Sequence, residues 1–577
     1  MRNKEISEIF NEIAEMVRLD GKPNSRFEAR AFQNAAVMLE NLQEDVGEIY
    51  KKGGREALME LPGIGKGLAE RIAEYVETGR MKKYDELKRR YPIDFTGLSR
   101  IEGLGPKKIV ALYRALGIKD MDGLRAALSK KRIRGVVGFG ERSEDTIRKG
   151  MEILESSKGR ILLGEALPAA EEIARELMGS GLVERVEIAG SIRRMRETVG
   201  DIDILAISGK GMEVMELFTG LEGVVGIVSK GPSKTTVRLG MGVTCDLRVI
   251  DATTKNFGAA LQYFTGSKEH SINLREIAIG KGYKLNEYGL FDKRGRLARC
   301  KDEEELYGRL GMQYIPPEMR ENRGEIAAAR KGAIPKLVEL GEIRGDMHTH
   351  TKETDGSESA EEMAAAAAAA GLEYIAITNH TKSLKIANGM DDAAFRRFFK
   401  KIDALNERRE GAFILKGAEV DILKDGSLDL SKSTLKGMGC VVASVHSYFN
   451  MDSRAMTERV VKAIESGMVN IIAHPTGRMI GERKGYEIDL DKVAEAAEAN
   501  GTALEINSSP NRLDLNDSAI LQLSGYKVMF SIDSDAHNRQ HFGLLRYGVG
   551  TARRGWLTKE KVLNALPLKK VLGKLRR

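Results

Sequence analysis

Residues 189–205, AGSIRRMRETVGDIDIL, decide the fold because they join a polar turn to a strand that carries two carboxylates. Asp201 and Asp203 alternate with isoleucines, as in a strand with one buried face. Side chains two residues apart on a strand point to the same face, so we expect both carboxylates to converge on one spot. The later apolar run VTCDLRVI predicts a neighbouring strand that adds a third carboxylate, Asp246.

The turn before this strand has the composition of a phosphate-binding turn. Gly190 and Ser191 follow the apolar run VEIAG, and Arg193 and Arg194 come directly after them. Backbone N–H groups, a hydroxyl and guanidinium groups can together hold a phosphate. Three carboxylates beside such a turn suit two Mg²⁺ or Mn²⁺ ions that support phosphoryl or nucleotidyl transfer. The alternative is a plain surface turn before an edge strand. We favour a metal and phosphate site because the turn, the arginines and the carboxylate strands follow one another in order along the chain.

Composition predicts a soluble, cytoplasmic protein of several domains. The 577 residues are 42% hydrophobic and 31% charged, with no N-terminal signal core and no run of about 18 apolar residues for a membrane span. The three cysteines, Cys245, Cys300 and Cys440, form no CxxC pair, which favours a reducing compartment over a disulfide framework. A net charge of +8 is a modest sign of a polyanionic partner.

Two segments of the N-terminal part share one pattern of helix, glycine hairpin and helix. They read LMELPGIGKGLAERIAEYV and LSRIEGLGPKKIVALYRAL. The first lies among predicted helices at Lys4–Leu19, Ser25–Asn41, Gly47–Tyr50 and Lys66–Thr78, and the second comes about 40 residues later. The hairpin glycines and following lysines are Gly63, Gly65 and Lys66 in the first copy and Gly103, Gly105, Lys107 and Lys108 in the second. One such hairpin is commonly a helical corner. Two copies predict grips on a nucleic acid backbone that do not read the base sequence. No strand precedes either hairpin, which argues against a dinucleotide site.

These segments resemble the family X DNA polymerases, the group that includes DNA polymerase beta. The resemblance extends to the stretches GSIRR, GDIDIL, CDLRV, YFTGSKEH, GYKLNEYGLF and IPPEMRENRGE. The resemblance implies that Asp201, Asp203 and Asp246 bind two metal ions, with Asp246 nearest the primer 3′-hydroxyl. It also implies three sets of nucleotide contacts: Arg160, Gly190, Ser191 and Arg194 on the triphosphate; Tyr263, Phe264 and Gly266 on the sugar side; and Arg275 towards the template.

Two positions depart from the beta-type pattern. Ser271 stands where beta-type members carry an asparagine that touches the nucleotide, so base contacts differ. Arg71 stands where they carry a Schiff-base lysine just after the first hairpin. An arginine stays protonated and cannot act as an amine nucleophile, so the sequence argues against a beta-type lyase at this position.

The C-terminal half alternates predicted strands and helices, and its strand ends carry metal-ligand residue types. The predicted strands are IRGDMHTH, YIAITNH, AFILKGAEVDI, CVVASVH, VNIIAHP, TALEINS and VMFSIDSDAH. Parallel strands joined by helices gather their carboxyl ends on one face, as in a (β/α) barrel. The converging residues suit a cluster of Zn²⁺, Mn²⁺ or Fe ions: His348, His350, Asp355, His380, Glu419, His446, His474, Asp535 and His537.

This ligand set resembles the PHP domain, the polymerase and histidinol phosphatase family. The resemblance implies a site for up to three metal ions, a 3′–5′ exonuclease and end-processing activity, and in some members cleavage at abasic sites. The family's usual aspartate before the third histidine is Asn379 here, which removes a charge beside His380 and can shift metal preference.

The sequence therefore predicts a multidomain α+β and α/β protein with helix-hairpin-helix domains, a nucleotidyltransferase palm like that of DNA polymerase beta, and a distorted (β/α)₇ PHP barrel. The predicted segments are an N-terminal DNA-binding domain (1–85), fingers (86–155), palm (156–258), thumb (259–318), linker (319–342) and PHP domain (343–577). The predicted function is a monomeric DNA-directed DNA polymerase that fills short gaps in base excision repair, acting on gapped or nicked duplex DNA with dNTPs. A template-independent nucleotidyltransferase and a non-catalytic DNA-end scaffold are the alternatives.

Overall fold

The computed structural model describes residues 2–19, 25–42, 45–99, 101, 103–156, 159–251, 256–408 and 410–575. The chain divides into two compact units, one formed by residues 1–158 with 481–483 and the other by residues 159–480 with 484–577. No helix in the described part of the chain is both long enough and apolar enough to cross a bilayer.

The first unit is helical. Its helices are α1 (Arg2–Leu19), α2 (Ser25–Asn41), α3 (Val46–Met59), α4 (Lys66–Thr78), α5 (Lys82–Arg90), α6 (Phe95–Ser99), α7 (Pro106–Leu116), α8 (Met121–Ser129) and α9 (Glu141–Ser156). One core runs from Ile6 to Met151, across the predicted boundary between the DNA-binding domain and the fingers. Three of the four predicted helices have the expected bounds to within two residues. The fourth is longer than the predicted Gly47–Tyr50, because α3 consists of two helical pieces joined by a kink at Gly54, where φ is 64° and ψ is −150°.

The second unit begins with a five-stranded sheet in the predicted palm segment. Its elements are β1 (Ile161–Leu162), α10 (Leu163–Gly179), β2 (Arg185–Ile188), α11 (Gly190–Arg193), β3 (Thr198–Val199), β4 (Asp201–Ile207), α12 (Gly211–Thr219), β5 (Val224–Lys230), β6 (Lys234–Leu239) and β7 (Thr244–Ile250). The strand order is β2-β4-β7-β6-β5. Only β4 and β7 pair in parallel within this sheet, which brings the two carboxylate strands side by side.

The predicted thumb segment follows as a small α/β layer. Its elements are α13 (Phe257–Thr265), α14 (Lys268–Gly280), β8 (Lys284–Asn286), β9 (Gly289–Phe291), β10 (Leu297–Ala298) and α15 (Glu303–Arg309), and α16 (Glu325–Arg330) follows in the predicted linker. The predicted linker is not an extended spacer, because Met319, Ala329, Ile334 and Leu337 are buried in the same core as the thumb helices. Helix α16 begins one residue after Gly324, where the sequence predicts a helix start.

The remaining chain forms the predicted seven-stranded parallel barrel. Its elements are β11 (Gly345–Thr349), α17 (Ala360–Ala369), β12 (Tyr374–Ile377), α18 (Asp392–Arg408), β13 (Phe413–Asp421), α19 (Lys432–Lys436), β14 (Cys440–Ser444), α20 (Ser453–Glu465), β15 (Ile471–Ile472), α21 (Leu490–Asn500), β16 (Ala503–Asn507), α22 (Asp517–Gln522), β17 (Phe530–Asp533), α23 (Leu545–Arg554) and α24 (Leu568–Leu575). The strands pair in chain order. The first and last strands meet where the His350 N–H donates to the Ala536 carbonyl at 2.8 Å, so the barrel nearly closes. The predicted fold class is confirmed.

Candidate active sites

The palm carboxylates lie together because β4 and β7 pair in register. Asp203 is directly opposite Asp246, and Asp201 lies two residues earlier on β4. Burial raises the pKa of Asp203 to about 7, and the neighbouring negative charges of Asp201 and Asp246 add to the effect. Three carboxylates in this arrangement repel one another, so the residues present fit a divalent cation.

Two side chains of β6, which the sequence argument missed, orient Asp246. The Thr236 hydroxyl donates to Asp246 Oδ1 at 2.6 Å. Lys234 Nζ lies 2.5 Å from Asp246 Oδ2. A lysine ammonium against this carboxylate shows that the cluster accommodates positive charge. In the sequence, the run KTTVRL begins with a cation and places Thr236 two residues later.

The polar turn lies against the carboxylates. Gly190 has a φ of 60°, and a Cβ atom there would collide with the Asp203 carboxylate, so no larger residue fits. The Ala189 N–H donates to the Asp203 carbonyl at 2.8 Å and fixes the turn to β4. The Ser191 hydroxyl oxygen is buried and has no hydrogen-bond partner within the described ranges. A buried hydroxyl without a partner suits a ligand oxygen at this position.

The two arginines after the turn are held by the thumb segment. Arg193 donates to Glu303 at 2.7 and 3.0 Å and to the Thr265 hydroxyl at 2.6 Å. Arg194 donates through Nε to Glu321 at 3.1 Å and through Nη1 to the Thr265 carbonyl at 2.5 Å. Burial opposes ionisation of Glu303, but Arg320 and Arg193 lower its pKa to about 2. Both guanidinium groups are therefore fixed in place.

The residues predicted to contact the nucleotide sugar lie close to this turn. Gly266 lies beside Arg194, since a Cβ atom there would be 3.1 Å from Nη1. The rings of Tyr263 and Phe264 meet edge to face with centroids 5.1 Å apart. The Arg248 guanidinium lies 4.6 Å above the centre of the Phe264 ring.

Arg160 and Arg275 bond elsewhere within the described part of the chain. Arg160 donates to the Thr198 hydroxyl at 3.0 Å and to the Thr198 carbonyl at 2.6 Å. Arg275 donates through Nε to the Ser271 carbonyl at 3.2 Å. Ser271 is buried, and its hydroxyl accepts from Gln262 at 3.3 Å. Among the described residues, Gly190 thus lies against Asp203 and Gly266 beside Arg194, whereas the hydrogen bonds of Arg160 and Arg275 go to Thr198 and Ser271.

The two glycine hairpins have matching backbones. Gly63 and Gly103 have φ values of 79° and 85°, and Gly65 and Gly105 each precede the first turn of a helix, α4 and α7. The hairpin glycines and Lys66 are exposed. The side chain of Lys107 lies outside the described ones. Helix starts present unpaired N–H groups, so both hairpins suit phosphate oxygens.

Arg71 packs inside the helical unit. Its guanidinium lies 5.5 Å from the centre of the Phe32 ring and donates to the Gly67 carbonyl. These contacts hold the Arg71 guanidinium against α2 and α4.

All nine predicted barrel ligands converge at the carboxyl ends of the strands. Their ligand atoms form three groups, each with all of its atoms within 4.8 Å of one another: His350, Asp355, His380 and His537; His348, His350 and Asp535; and His380, Glu419 and His446. The ninth predicted ligand, His474, lies with Nε2 3.1 Å from Glu419 Oε1. The groups share His350 and His380, as expected for a cluster of adjacent metal ions.

Glu419 lies at the centre of these groups. Its carboxylate oxygens are 2.8 Å from His380 Nδ1, 3.2 Å from His446 Nε2 and 3.3 Å from His348 Nε2. The position follows from β13, the longest strand of the barrel, which carries Glu419 near its carboxyl end. A carboxylate with two oxygens can bridge two metal ions.

His350 gives the clearest test of whether the residues fit a metal. Both of its ring nitrogens are buried and neither has a partner in hydrogen-bond geometry among the described residues, while Nε2 lies 3.1 Å from Asp535 Oδ1. Burial lowers the pKa of His350 to about 3, and the neighbouring His537 and His380 add to the effect. A neutral imidazole with unpaired nitrogens is the form that binds Zn²⁺, Mn²⁺ or Fe, so the donor set fits.

Several residues around the ligands escaped the sequence argument. Glu505 on β16 accepts from the His474 N–H at 2.6 Å and lies 2.6 Å from His348 Nδ1. Asp421 lies 3.2 Å from His446 Nδ1. Such carboxylates fix the orientation of a ligating histidine. The sequence held only an indirect sign, since TALEINS was the one predicted barrel strand that supplied no ligand, and that pattern does not identify Glu505.

Asn379, the departure from the usual aspartate, faces a loop. It accepts the Thr351 N–H at 2.8 Å and donates to the Thr351 hydroxyl at 2.9 Å. The amide thus ties the loop after β11 to the end of β12. An aspartate could accept the first of these hydrogen bonds but could not donate the second when ionised.

Four segments of the chain match known families. Residues 1–81 match a helix-hairpin-helix domain and residues 95–151 a SAM-like helix-hairpin-helix tandem. Residues 260–321 match the DNA polymerase beta thumb, and residues 346–509 match the PHP domain.

The chain is similar to curated proteins over its whole length and over the barrel alone. It is 37% identical over 580 residues, 100% of both chains, to the protein named DNA polymerase/3′-5′ exonuclease PolX of Bacillus subtilis strain 168. A probable phosphatase of Thermoanaerobacter sp. strain X514 is 33% identical over 230 residues, which cover 38% of this chain and 89% of the relative. A probable phosphatase of Syntrophotalea carbinolica is 28% identical over 229 residues, 38% of this chain and 90% of the relative.

Proposed function

The chain belongs to the family X DNA polymerases that carry a C-terminal PHP domain, and on this premise we propose that it extends DNA primers at the palm and trims 3′ ends at the barrel. The observation that carries the proposal is the presence of two separate clusters, the palm carboxylates beside the buried Ser191 hydroxyl and the histidine and carboxylate groups of the barrel. The palm cluster has the composition for nucleotidyl transfer, and the barrel cluster has the composition for phosphoester hydrolysis.

At the palm, the chain's own groups bind and orient the two reactants. Asp201, Asp203 and Asp246 would hold two Mg²⁺ or Mn²⁺ ions, which supply charge neutralisation at the triphosphate and acidify the primer hydroxyl. Ser191 and Arg194 would bind triphosphate oxygens, with Arg160 at the outer edge.

The remaining nucleotide contacts come from the thumb side. Tyr263, Phe264 and Gly266 would line the sugar, and Arg275 would face the template. Positioning of both reactants reduces the entropic part of the barrier.

At the barrel, neutral imidazoles and carboxylates would hold up to three metal ions, which supply an activated water and polarise the phosphoester. Glu419 lies between the ligand groups, and Glu505 and Asp421 hold histidines in place. The 3′-terminal phosphodiester would be hydrolysed, and an abasic site is a second substrate of the same chemistry.

We infer the DNA substrate from the two hairpins of the helical unit. Gly63, Gly65, Lys66, Gly103, Gly105 and Lys107 would hold backbone phosphates without reading the bases. We propose gapped or nicked duplex DNA, filled with dNTPs during base excision repair by a monomer in the cytoplasm.

Template dependence separates this proposal from a template-independent nucleotidyltransferase. The experiment offers one dNTP at a time to a labelled primer on a one-nucleotide gap, opposite each of the four template bases. The proposal expects addition of the complementary nucleotide only. Addition of the same nucleotide regardless of the template base would support the template-independent enzyme.

Primer shortening without dNTPs separates an active barrel from a DNA-end scaffold. A 5′-labelled primer with Mn²⁺ should shorten from its 3′ end, and a chelator should stop the reaction. A chelator that lowers the melting temperature while no shortening occurs at any metal concentration would support the scaffold.

A further inference from the structure

The segment Arg320–Glu325 links the palm, the thumb and the barrel through its charged side chains. Each of four side chains pairs with a different partner: Arg320 with Glu303, Glu321 with Arg194, Arg323 with Asp517, and Glu325 with His270. Of these pairs, the one with Arg194 lies next to the phosphate-binding turn. The segment therefore connects that turn to parts of the chain far from it in sequence.

Glu321 is shared between two arginines. Its Oε1 accepts from Arg194 Nε at 3.1 Å and from Arg554 Nη1 at 2.9 Å. Arg554 comes from α23, a helix whose Leu545, Val549 and Ala552 are buried in the barrel core. A barrel residue thus fixes the carboxylate that fixes Arg194.

Arg554 also binds the Arg194 backbone. Its Nη1 donates to the Arg194 carbonyl at 2.6 Å, and its Nη2 donates to Asp517 Oδ2 at 2.7 Å. Arg554 is 3% exposed and its partners Glu321 and Asp517 are 13% and 17% exposed, so these hydrogen bonds are largely shielded from solvent. Charged hydrogen bonds in such surroundings hold geometry well because water does not compete for them.

The contacts leave one nitrogen of Arg194 for a ligand. Nε binds Glu321, and Nη1 binds the Thr265 carbonyl. Nη2 has no hydrogen-bond partner among the residues described. The guanidinium is therefore oriented before any nucleotide arrives, with the two N–H groups of Nη2 still available to a ligand.

We propose that Arg554 is a positioning residue for the incoming nucleotide, acting through Glu321 and the Arg194 carbonyl to orient Arg194. The inference rests on the proposed function, in which Arg194 binds the triphosphate. Preorganisation of a charged donor saves the entropy of ordering it on binding, so its loss weakens nucleotide binding more than it slows the chemical step. Nucleotide affinity at the palm then depends on a helix of the barrel half.

The test uses the full-length chain and a matched control on the same helix. Arg546 on α23 also forms an ion pair with the palm, to Glu171 at 3.0 Å, but it does not contact Arg194. Arg554→Met should raise the KM for the dNTP in one-nucleotide gap filling by about tenfold, the loss typical of one charged hydrogen bond, with a smaller change in kcat. Arg546→Met should leave that KM within about twofold of wild type.

Two further variants test the route through Glu321. Arg554→Lys retains a cation and should restore part of the affinity. Glu321→Gln alone should raise the KM for the dNTP. The double variant with Glu321→Gln and Arg554→Met should raise it by less than the product of the two single effects, because both substitutions act on Arg194. The metal-dependent shortening rate should stay near the wild-type value in all of these variants.

Equal KM increases in Arg554→Met and Arg546→Met, or an unchanged KM in Arg554→Met, would overturn the inference. If Arg554→Met does not fold, Asp517→Asn is measured instead, because it removes one anchor of Arg554. The KM for the dNTP should then rise by a smaller factor, and an unchanged KM in Asp517→Asn counts against the inference. If wild type does not extend primers at all, the proposed function fails and this inference fails with it.

Discussion

Asp203 carries much of the electrostatic strain of the palm site without metal. Its carboxylate is buried between Asp201 and Asp246, and these surroundings raise its pKa from an ordinary 3.8 to about 7. A group that binds its proton more tightly in the folded state destabilises the fold as pH rises from the unfolded pKa to the folded pKa. The metal-free protein should therefore lose stability through this group between pH 4 and pH 7.

Asp203→Asn should remove this penalty. With a chelator present, the free energy of unfolding of the variant should increase relative to that of wild type as pH rises from about 4 to above 7. The increase should be roughly 2–4 kcal/mol over this range. Added Mg²⁺ should reduce or reverse the difference, because the ion binds the wild-type cluster. Thermal melts over this pH range give the measurement, with Glu213→Gln, exposed on α12, as the control. A difference that does not change with pH would contradict the account of Asp203.

Glu505 shows which residues of a metal site local sequence cannot identify. It contacts His348 Nδ1 and the His474 N–H, which lie 157 and 31 residues away in the chain. The ligands themselves could be predicted, because histidines and acidic residues recur at the ends of apolar strands. The residues that orient them depend on three-dimensional contacts between strands.

Glu505→Gln should weaken metal binding at the barrel by about 10- to 100-fold, because the amide orients His348 less firmly. Primer shortening at limiting Mn²⁺ should fall accordingly and recover in part at high Mn²⁺, while primer extension stays unchanged. Glu495→Gln, exposed on the neighbouring α21, is the control. Equal losses in both variants, or none in Glu505→Gln, would contradict this role.

At the scale of elements, the turn at α11 is set by strand β4 behind it. The alternation of GDIDIL predicts β4, and the apolar CDLRV predicts β7; both strands form, and they pair with Asp203 opposite Asp246. The pairing of Arg193 and Arg194 with Glu303 and Glu321 could not be predicted, since the partners lie 110 and 127 residues away. Periodicity specifies elements, whereas contacts between elements depend on packing.

Gly190→Ala tests this packing. The added methyl group would collide with the Asp203 carboxylate at a positive φ, so we expect a loss of about 1–3 kcal/mol in stability and a loss of primer extension. Gly209→Ala, where a Cβ atom would meet open space, should leave both unchanged. Chemical denaturation and the gap-filling assay give the two readouts. Full extension by Gly190→Ala would show that the turn does not need to lie so close to Asp203.

The hairpin before α4 should act as a phosphate grip. Lys66→Ala should weaken binding of gapped DNA to a similar degree for any base sequence, and should lower the slope of log affinity against log salt by about 1. Lys51→Ala, an exposed lysine of α3 paired with Glu48, is the control. Fluorescence anisotropy over a salt series gives the slope. A slope unchanged by Lys66→Ala would remove this hairpin from the DNA contacts.

At the scale of the whole molecule, the palm and the barrel belong to one compact unit, and the helical hairpins belong to another. The sequence predicted both clusters and the seven strands, because each follows from a local pattern repeated along the chain. It did not predict that Arg554 of α23 binds the Arg194 carbonyl, 360 residues away in the chain. The palm and barrel sites can carry out different reactions within one unit, since no residue belongs to both ligand sets.

The separation of the two sites is tested most directly by one labelled primer on a one-nucleotide gap with Mn²⁺, with and without dNTPs. Wild type, Asp203→Ala and His350→Ala are compared. The account predicts that extension is lost only in Asp203→Ala and shortening only in His350→Ala. If either substitution abolishes both activities in a folded protein, or neither activity depends on its own site, the assignment of two independent active sites is wrong.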